Sequence, residues 1–485
     1  MKSIVWLTLS ALAPLLGACA HVPPPVAACP GDAIATQHSV KAGDDTLSYR
    51  ACAGTLPVDD ASGTNQADLF YTAYFLDRSD AGRPIAFVWN GGPGADSRLL
   101  HFHAMGPKVL KGGALVDNPV TPLVSADLVF LDPAGTGFSR AAGKDAGKAL
   151  YGTMGDIAAT ARFVTQFREA AGRQASPLYL AGESFGTWRA AGTADLLAGS
   201  GVEIAGIALI SGGIPQGDAP ERALMRALSL PNRTATALAL GRLPADLQAM
   251  GDKAVAMAEK WALESWYPAL ADPASLPAVR RQQVARDLAR FHGLDEAQVD
   301  AESLWISPRD FRQKLLADKG KTLGIFDMRQ TDAGADEAQA DAAIIAYYRE
   351  VLGYRSGEYA GIEVPAIPVG AQWQYDQAPV TEESLARAMA GEGPPSPSQP
   401  WVAQLLARSP DTRVLVATGL YDSLGSCAAN RAAAAAFGPQ WHGSFVLRCY
   451  RGGHMMYEEA SQAPLFGRDL TAFFGNSPLP PQTGN

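Results

Sequence analysis

The sequence is poor in the features that mark several large classes of protein. Its 40 Lys and Arg residues are outnumbered by 49 Asp and Glu residues, for a net charge of -9, which argues against nucleic-acid binding. Apart from Cys19 in the N-terminal segment, its cysteines form no C-x-x-C spacing and no cluster with histidine, so no metal site is predicted. After the first 16 residues, no stretch is long and apolar enough to predict a transmembrane helix.

The N-terminus has the pattern of an export signal. A short basic start, residues 1–3, precedes an apolar run over residues 4–16, so we predict a signal peptide at 1–18. Residues 16–19, Leu-Gly-Ala-Cys, resemble the lipobox of bacterial lipoproteins, which makes Cys19 a lipidation candidate and the only expected membrane contact. The alternative is a plain secretory signal cleaved near Ala18 or Ala20. Both alternatives predict an exported protein, either periplasmic or anchored to a membrane.

Four further cysteines remain in this oxidising setting: Cys29, Cys52, Cys427 and Cys449. An even number of cysteines in an exported protein predicts disulfides, here two. Four cysteines allow three pairings, and the sequence alone leaves all three open. We expect the local pairs, Cys29 with Cys52 and Cys427 with Cys449.

The body of the chain has the pattern of an α/β protein. With 485 residues and 47% hydrophobic content it is long enough to bury a large core. After a proline-rich tether at 19–30, the region 31–213 alternates apolar runs with helical stretches, which predicts a mainly parallel sheet with helices on both faces. The predicted strands are 85–89, 128–131, 178–180 and 204–210, and the predicted helices are 156–171 and 185–197.

The pattern changes between residues 214 and 396. Amphipathic helices are predicted there at 221–228, 278–291 and 336–351, and buried strand runs nearly vanish. Strands resume at 413–417 and 444–447, within a second core region at 397–478 that precedes a tail at 479–485. A helical block that interrupts a sheet favours a cap over an active site, with a separate helical domain as the alternative.

Residues 182–186 read Gly-Glu-Ser-Phe-Gly directly after a predicted strand and before a predicted helix. This context favours a nucleophile, Ser184, on a strand-to-helix bend. Such a serine needs a base, and only His292, His442 and His454 follow it. His454 is the best candidate because it lies on a glycine-rich loop after the last strand, and Asp422, just beyond the preceding strand, is the matching acid.

Oxyanion donors are expected on a loop after an earlier strand. Residues 89–94, Trp-Asn-Gly-Gly-Pro-Gly, form such a loop with little side-chain bulk. Together with 132–139 (Asp-Pro-Ala-Gly-Thr-Gly-Phe-Ser), 182–186, 419–422 (Gly-Leu-Tyr-Asp) and 453–455 (Gly-His-Met), this loop follows the order and spacing of motifs in the serine carboxypeptidase family. The chain resembles a bacterial-type member of that family over about residues 35–475.

The resemblance implies an α/β-hydrolase fold and a serine-type carboxypeptidase that acts on peptides without a cofactor. It implies Ser184 as nucleophile, His454 as general base, Asp422 as the orienting carboxylate, and the amides of Gly92 and Phe185 as the oxyanion hole. It further implies that two more side chains, Asn90 and Glu183, bind the free carboxylate of the substrate.

One segment departs from the family pattern. Members often carry a second glutamate two residues before a Gly-Pro, where this chain has Ala104. The nearby His101 and His103 are interpreted as ordinary loop residues. The missing glutamate leaves an esterase or amidase with the same triad as an alternative, and the tether with its lipobox leaves a non-enzymatic envelope binding module as another.

Overall fold

A ten-stranded sheet forms the centre of the protein. The structure, a computed structural model, describes residues 28–60, 62–77, 82–217, 221–331, 337–389 and 397–482, so the predicted signal at 1–18 and Cys19 lie outside the described residues. A separate hairpin consists of β5 and β6. The strands are β1 Ile34–Ala42, β2 Asp45–Asp59, β3 Asn65–Leu76, β4 Ile85–Trp89, β5 Lys108–Lys111, β6 Ala114–Asp117, β7 Asp127–Leu131, β8 Arg140–Ala141, β9 Leu178–Glu183, β10 Gly206–Ile210, β11 Arg413–Gly419 and β12 Phe445–Tyr450.

The sheet is mainly parallel, as predicted. Its strand order is β1-β2-β3-β7-β4-β9-β10-β11-β12, with β8 beside β3. The six strands from β7 to β12 along this order pair in parallel. Since the carboxyl ends of parallel strands meet at one edge, the loops that follow β4, β9, β11 and β12 lie near one another.

The sequence interpretation missed an antiparallel meander at the start of the chain. Strands β1, β2 and β3 pair antiparallel and join the parallel part through β3 and β7. In β1 and the first part of β2, exposed and buried residues are interleaved, which gives no continuous apolar run. The interpretation relied on such runs, which are typical of strands buried on both faces, and therefore missed β1 and the start of β2. It also missed β3, although residues 69–75 of that strand are buried and largely apolar.

Helices cover both faces of the sheet, as predicted. In β4, Ile85 and Phe87 pack with one group of buried residues that includes Phe163, whereas Val88 packs with a second group that includes Phe466. No helix among the described residues meets the length and apolarity needed to cross a membrane. The helices are α1 Lys144–Leu150, α2 Thr153–Ala170, α3 Gly186–Gly199, α4 Arg222–Ala227, α5 Leu230–Ala239, α6 Ala245–Met250, α7 Asp252–Trp261, α8 Tyr267–Ala271, α9 Ala278–His292, α10 Pro308–Lys314, α11 Glu337–Ala346, α12 Val369–Gln372, α13 Glu382–Met389, α14 Trp401–Arg408, α15 Cys427–Ala435 and α16 Ala463–Phe474.

A long helical segment separates two strands that are neighbours in the sheet. Strands β10 and β11 pair in parallel, yet α4 to α14 lie between them in the chain. Many of these helices share an apolar core of their own, which includes Trp266, Leu288 and Phe311. The described part of this segment contains no strand beyond isolated bridges.

Two disulfides join the pairs that the sequence favoured. Cys29 bonds to Cys52 with a Cα–Cα distance of 5.6 Å, and Cys427 bonds to Cys449 with a Cα–Cα distance of 5.7 Å. The local pairing is thereby confirmed. Disulfides persist in oxidising compartments, so the pairs indicate a protein that works outside the reducing cytosol.

Candidate active site

Ser184 lies on a sharp bend between β9 and α3. Its φ is +58°, a left-handed conformation that costs a non-glycine residue about 1–2 kcal/mol. The bend needs glycine at position 182, because a Cβ there would collide with the carbonyl oxygen of Gly186. The indole Nε1 of Trp89 donates to that same carbonyl at 3.0 Å. The bend therefore presents the Ser184 hydroxyl beside the N-terminal end of α3.

The glycine loop after β4 lies against this bend. A Cβ on Gly91 would lie 2.5 Å from the backbone nitrogen of Phe185, so only glycine permits this approach. Within the described part of the chain, the backbone amides of Gly92 and Phe185 donate no hydrogen bond. Two unused amide donors thus lie near Ser184, as an oxyanion hole requires.

Asp422 and His454 form a buried pair. His454 Nδ1 lies 2.8 Å from Asp422 Oδ2, with both residues at most 3% exposed. The backbone amide of Leu424 donates to the other carboxylate oxygen at 2.9 Å. Burial alone would lower the pKa of His454, but the charge of Asp422, its hydrogen bond and the charge of Glu183 outweigh this effect and raise the pKa. The pair can therefore orient the imidazole and stabilise its protonated form.

Two connections bring the Ser184 bend and the His454 loop together. The Ser184 amide donates to the Ile210 carbonyl at 2.8 Å, and the hydroxyl of the next residue, Ser211, donates to the His454 carbonyl. Neither His454 Nε2 nor the Ser184 hydroxyl has a hydrogen-bond partner among the described residues. In free enzymes the hydrogen bond between a catalytic serine and its histidine is often long or poorly aligned, and it tightens when substrate binds.

Glu183, next to Ser184, is buried and bonded at both oxygens. The Asn90 side-chain amide donates to Oε1 at 3.0 Å, and the Tyr457 hydroxyl donates to Oε2 at 2.5 Å. The Asn90 side-chain oxygen accepts from the Leu100 amide at 3.0 Å. Burial raises the pKa of Glu183 to about 7, although the His454 charge and the two donors oppose it. Both residues predicted to bind a substrate carboxylate thus lie together beside the nucleophile.

The prediction that His101 is an ordinary loop residue was wrong. His101 lies fully buried in a π-helical turn, Leu100–Met105, where its Nε2 is 2.7 Å from the Tyr74 hydroxyl. Its ring stacks on Phe130 with centroids 4.1 Å apart, and burial lowers its pKa well below the usual value. His103, in the same turn, is partly exposed and pairs with Glu458 at 2.8 Å.

The other histidines lie away from the bend. His292 is buried at the end of α9, with Nε2 3.2 Å from an Arg233 nitrogen, and His442 Nε2 lies 2.9 Å from the Phe437 carbonyl oxygen before β12. No group of three or more His, Cys, Asp or Glu side chains in the described ranges has the arrangement of a metal site.

A segment of the helical region, residues 324–329, lies on the His454 loop. The Phe326 carbonyl accepts from the His454 amide at 2.6 Å, and the Phe326 ring lies 5.3 Å from the imidazole between centroids. The same segment bonds the Asp422 loop, since the Met328 amide donates to Tyr421 and the Ser423 hydroxyl donates to Ile325. The Phe326 ring covers the imidazole while Phe326 remains 46% exposed.

A second part of the helical region, around α12, lies on the glycine loop. A Cβ on Gly94 would lie 2.9 Å from the Gly370 nitrogen, so the two backbones are in close contact. Beyond α12, Trp373 packs on Phe185 with ring centroids 5.1 Å apart. The candidate site therefore lies between the sheet edge and two segments of the helical region.

Sequence reasoning missed three contributors: Ser211, Phe326 and Tyr457. Ser211 and Phe326 bond the backbone of His454, and their own sequence context carries no motif. Tyr457 lies only three positions after His454, and this proximity in the sequence is the one feature that could have made it a candidate site residue.

Part of the chain is similar in sequence to serine carboxypeptidases. The sequence model of the serine carboxypeptidase family matches residues 43–193. Carboxypeptidase Y homolog A of Phaeosphaeria nodorum is 34% identical over 125 residues, which is 24% of this chain and 21% of that protein. Serine carboxypeptidase S10 family member 1 of Dictyostelium discoideum is 30% identical over 125 residues, which is 25% of this chain and 30% of that protein. The chain thus spans less than a third of either relative's length.

A solved structure extends the similarity in fold. A prohormone-processing carboxypeptidase from Saccharomyces cerevisiae aligns with a TM-score of 0.52 over 88% of this chain and 91% of that chain, at 14% identity. At this identity the likeness concerns the fold alone, and it agrees with the predicted α/β-hydrolase fold. The chain is therefore similar to the serine carboxypeptidase family over residues 43–193, which lie in its first core region.

Proposed function

We propose that this protein is a serine-type carboxypeptidase that hydrolyses C-terminal peptide bonds through an acyl-enzyme. The observation that carries the proposal is the arrangement around Ser184. The loops of the buried Asp422–His454 pair lie next to the strained Ser184 bend, and the unused backbone amides of Gly92 and Phe185 flank that bend. The match of residues 43–193 to the serine carboxypeptidase model supports the same chemistry. The catalytic roles of these residues and the peptide substrate are parts of this proposal.

The proposed reaction follows from the donors and acceptors at the site. Ser184 attacks the scissile carbonyl while His454 Nε2 accepts the hydroxyl proton, and Asp422 holds Nδ1 and stabilises the imidazolium. The amides of Gly92 and Phe185 donate to the oxyanion. His454 then protonates the leaving amine, which departs with the C-terminal residue. Water, deprotonated by His454, hydrolyses the acyl-enzyme and releases Ser184.

The proposed recognition of a free C-terminal carboxylate involves Asn90 and Glu183. A carboxyl group with a pKa of about 7 is neutral in weakly acidic solution and can donate a hydrogen bond to the substrate carboxylate. When Glu183 ionises, the same position repels that carboxylate. Free-acid substrates should therefore bind best below about pH 7.

We further propose that the helical segment at 214–396 is a cap between the core regions at 31–213 and 397–478. Its support is the contact of residues 324–329 with the His454 loop and of α12 with the glycine loop. The partly exposed rings of Phe185 and Trp373 face each other where this segment approaches the nucleophile, and they are candidates to contact substrate side chains.

An esterase or amidase with the same triad is the second candidate function. The observation that favours it is Ala104, which leaves Glu183 without a second carboxyl group, while Asn90 and Tyr457 occupy both of its oxygens. An enzyme of this kind would hydrolyse small carboxylesters far faster than peptides.

Export is a further part of the proposal. The pattern of residues 1–18 and the two disulfides support a periplasmic or membrane-anchored protein, with Cys19 as the lipidated residue. Fractionation of cells that produce the full chain and the Cys19→Ala variant tests the anchor. Loss of the protein from the membrane fraction in the variant is expected, and an unchanged distribution would exclude a Cys19 anchor.

The experiment for the enzymatic proposal is active-site labelling combined with amino-acid release. A fluorophosphonate probe should label the wild-type protein, and the protein should release the C-terminal residue of an N-blocked dipeptide. Both activities should be lost in Ser184→Ala and kept in Ser200→Ala, a change at an exposed serine at the end of α3. Labelling that survives Ser184→Ala would exclude Ser184 as the nucleophile.

A further inference from the structure

A phenol and a carboxylate meet beside the nucleophile. The Tyr457 hydroxyl donates to Glu183 Oε2 at 2.5 Å, and each residue is 2% exposed. Glu183 immediately precedes Ser184, and Tyr457 follows His454 in the short turn Met456–Glu458. This one buried contact therefore joins the nucleophile bend to the histidine loop.

Tyr457 gives Glu183 a hydrogen-bond donor that the sequence analysis did not identify. The turn that holds Ala104 touches the turn that holds Tyr457, since His103 pairs with Glu458 at 2.8 Å. Ala104 offers no polar group to Glu183. The partner of Glu183 comes instead from the neighbouring turn, where Tyr457 directly precedes Glu458 in the sequence.

A phenol differs from a carboxyl group as a partner. Burial, followed by the charge and the hydrogen bond of Glu183, raises the pKa of Tyr457 well above its usual value, so the phenol keeps its proton. A phenol that always donates stabilises the ionised form of Glu183. The Tyr457 phenol therefore counteracts burial, which favours the neutral form of Glu183. A second carboxyl group could share a proton with Glu183, whereas the phenol does not.

The charged and polar groups around Glu183 come from three places in the fold. The glycine loop supplies the Asn90 amide, the histidine loop supplies His454, and the turn that follows it supplies Tyr457 and Glu458. Of these, His454, Tyr457 and Asn90 favour the ionised carboxylate, whereas Glu458 disfavours it. Tyr457 is the one direct donor among them that can be changed without touching the triad or the glycine loop.

We propose that Tyr457 is a positioning residue that favours ionisation of Glu183 and thereby sets the upper pH limit for binding of a substrate's free carboxylate. The proposal rests on the proposed role of Glu183 in carboxylate recognition. Tyr457 acts only through Glu183, so substrates without a free carboxylate do not sense it at this step.

The test compares Tyr457→Phe with wild type on an N-blocked dipeptide and on its C-terminal amide, with KM measured from pH 5 to 9. Without the donor, Glu183 stays neutral to higher pH, so the pH at which KM of the free acid rises should move up by about one unit. The KM profile of the amide should not move. Tyr450→Phe is the matched control, because the Tyr450 hydroxyl is also buried and donates to a carboxylate, Asp469, at 2.7 Å.

A second replacement tests the same claim with the ring and the hydrogen bond kept. Incorporation of 3-fluorotyrosine at position 457 makes the phenol a stronger donor, so the free-acid KM should rise at a lower pH than in wild type. An unchanged limit in both Tyr457→Phe and the fluorinated protein would overturn the inference. If the wild-type protein binds the free acid and the amide equally at every pH, Glu183 does not recognise the substrate carboxylate. That result would contradict the proposed role of Glu183 and, with it, the proposed role of Tyr457.

Discussion

His454 Nδ1 lies 2.8 Å from Asp422 Oδ2, and a disulfide joins the elements that carry these two residues. Cys427 begins the helix α15 that follows the Asp422 loop, and Cys449 lies near the end of β12, just before the His454 loop. The disulfide therefore joins the two chain segments next to the Asp422 and His454 loops and constrains these loops relative to each other.

Removal of this disulfide should affect catalysis as well as stability. The Cys427→Ala/Cys449→Ala double variant should lose about 3 kcal/mol of unfolding free energy and also a part of kcat, because both loops gain freedom. The matched control is Cys29→Ala/Cys52→Ala, which opens a loop of nearly equal length, with sequence separations of 23 and 22. The control should lose similar stability but keep kcat. Equal kcat losses in both variants would contradict this role.

The Asp422 carboxylate should matter more for rate than for folding. Asp422→Asn removes the charge that stabilises the imidazolium and favours the wrong tautomer, so kcat should fall by about 10⁴-fold. The pKa of His454 should also fall, since the charge and hydrogen bond of Asp422 are the main causes that raise it against burial. Asp469→Asn, which removes a buried carboxylate bonded to Arg448 and Tyr450, should lower the melting temperature without this loss of kcat. A comparable kcat in Asp422→Asn and wild type would exclude the proposed role.

The pH profile should depend on the substrate. For an ester without a free carboxylate, kcat/KM should rise as His454 loses its proton, at a pH above the usual histidine range, and then stay level. For a free-acid peptide it should fall again above about pH 7, because Glu183 has a pKa of about 7 and repels the substrate once ionised. Glu183→Gln should abolish the second decline and, because the charge of Glu183 raises the pKa of His454, should also move the first rise to lower pH. A decline that persists in this variant would assign it to another group.

The Phe326 ring should lower the pKa of His454, because it covers the imidazole and keeps water from it. Phe326→Ala uncovers the imidazole, and since burial lowers the pKa of His454, the pKa should rise and the acid limb of kcat/KM should move to higher pH. The stability cost should be about 1 kcal/mol, because Phe326 is 46% exposed. Phe326→Leu keeps an apolar cover and should stay close to wild type. An acid limb that does not move in Phe326→Ala would show that the ring has no such effect.

The sequence was informative where chemistry and chain order restrict the choice. Only three histidines follow Ser184, and one of them lies on a glycine loop after a strand, so His454 could be paired with Asp422 before the fold was known. The four buried strands before the helical region were recognisable because each is a short continuous apolar run. The even number of cysteines and the compartment predicted two disulfides, and the structure decided among the three possible pairings in favour of the expected local one.

Contacts between distant segments with no motif could not be predicted. Tyr457 and Glu183 are 274 positions apart, and a tyrosine on a loop has no pattern that names its partner. The burial of His101 depends on Tyr74 and Phe130, which lie on two other strands. Strand β1 and the first part of β2 lack the apolar runs of the parallel strands, whereas β3 has a buried, largely apolar run at 69–75 and was missed although that signal was present.

The most direct test of a carboxypeptidase is the ratio of kcat/KM for an N-blocked dipeptide to that for the same dipeptide amidated at its C-terminus, measured at pH 6. The account predicts that the free acid is hydrolysed much faster, and that Glu183→Gln alters this preference only above about pH 7, where the wild-type carboxyl group is ionised. Equal rates for the two substrates, or hydrolysis of small esters alone, would contradict it.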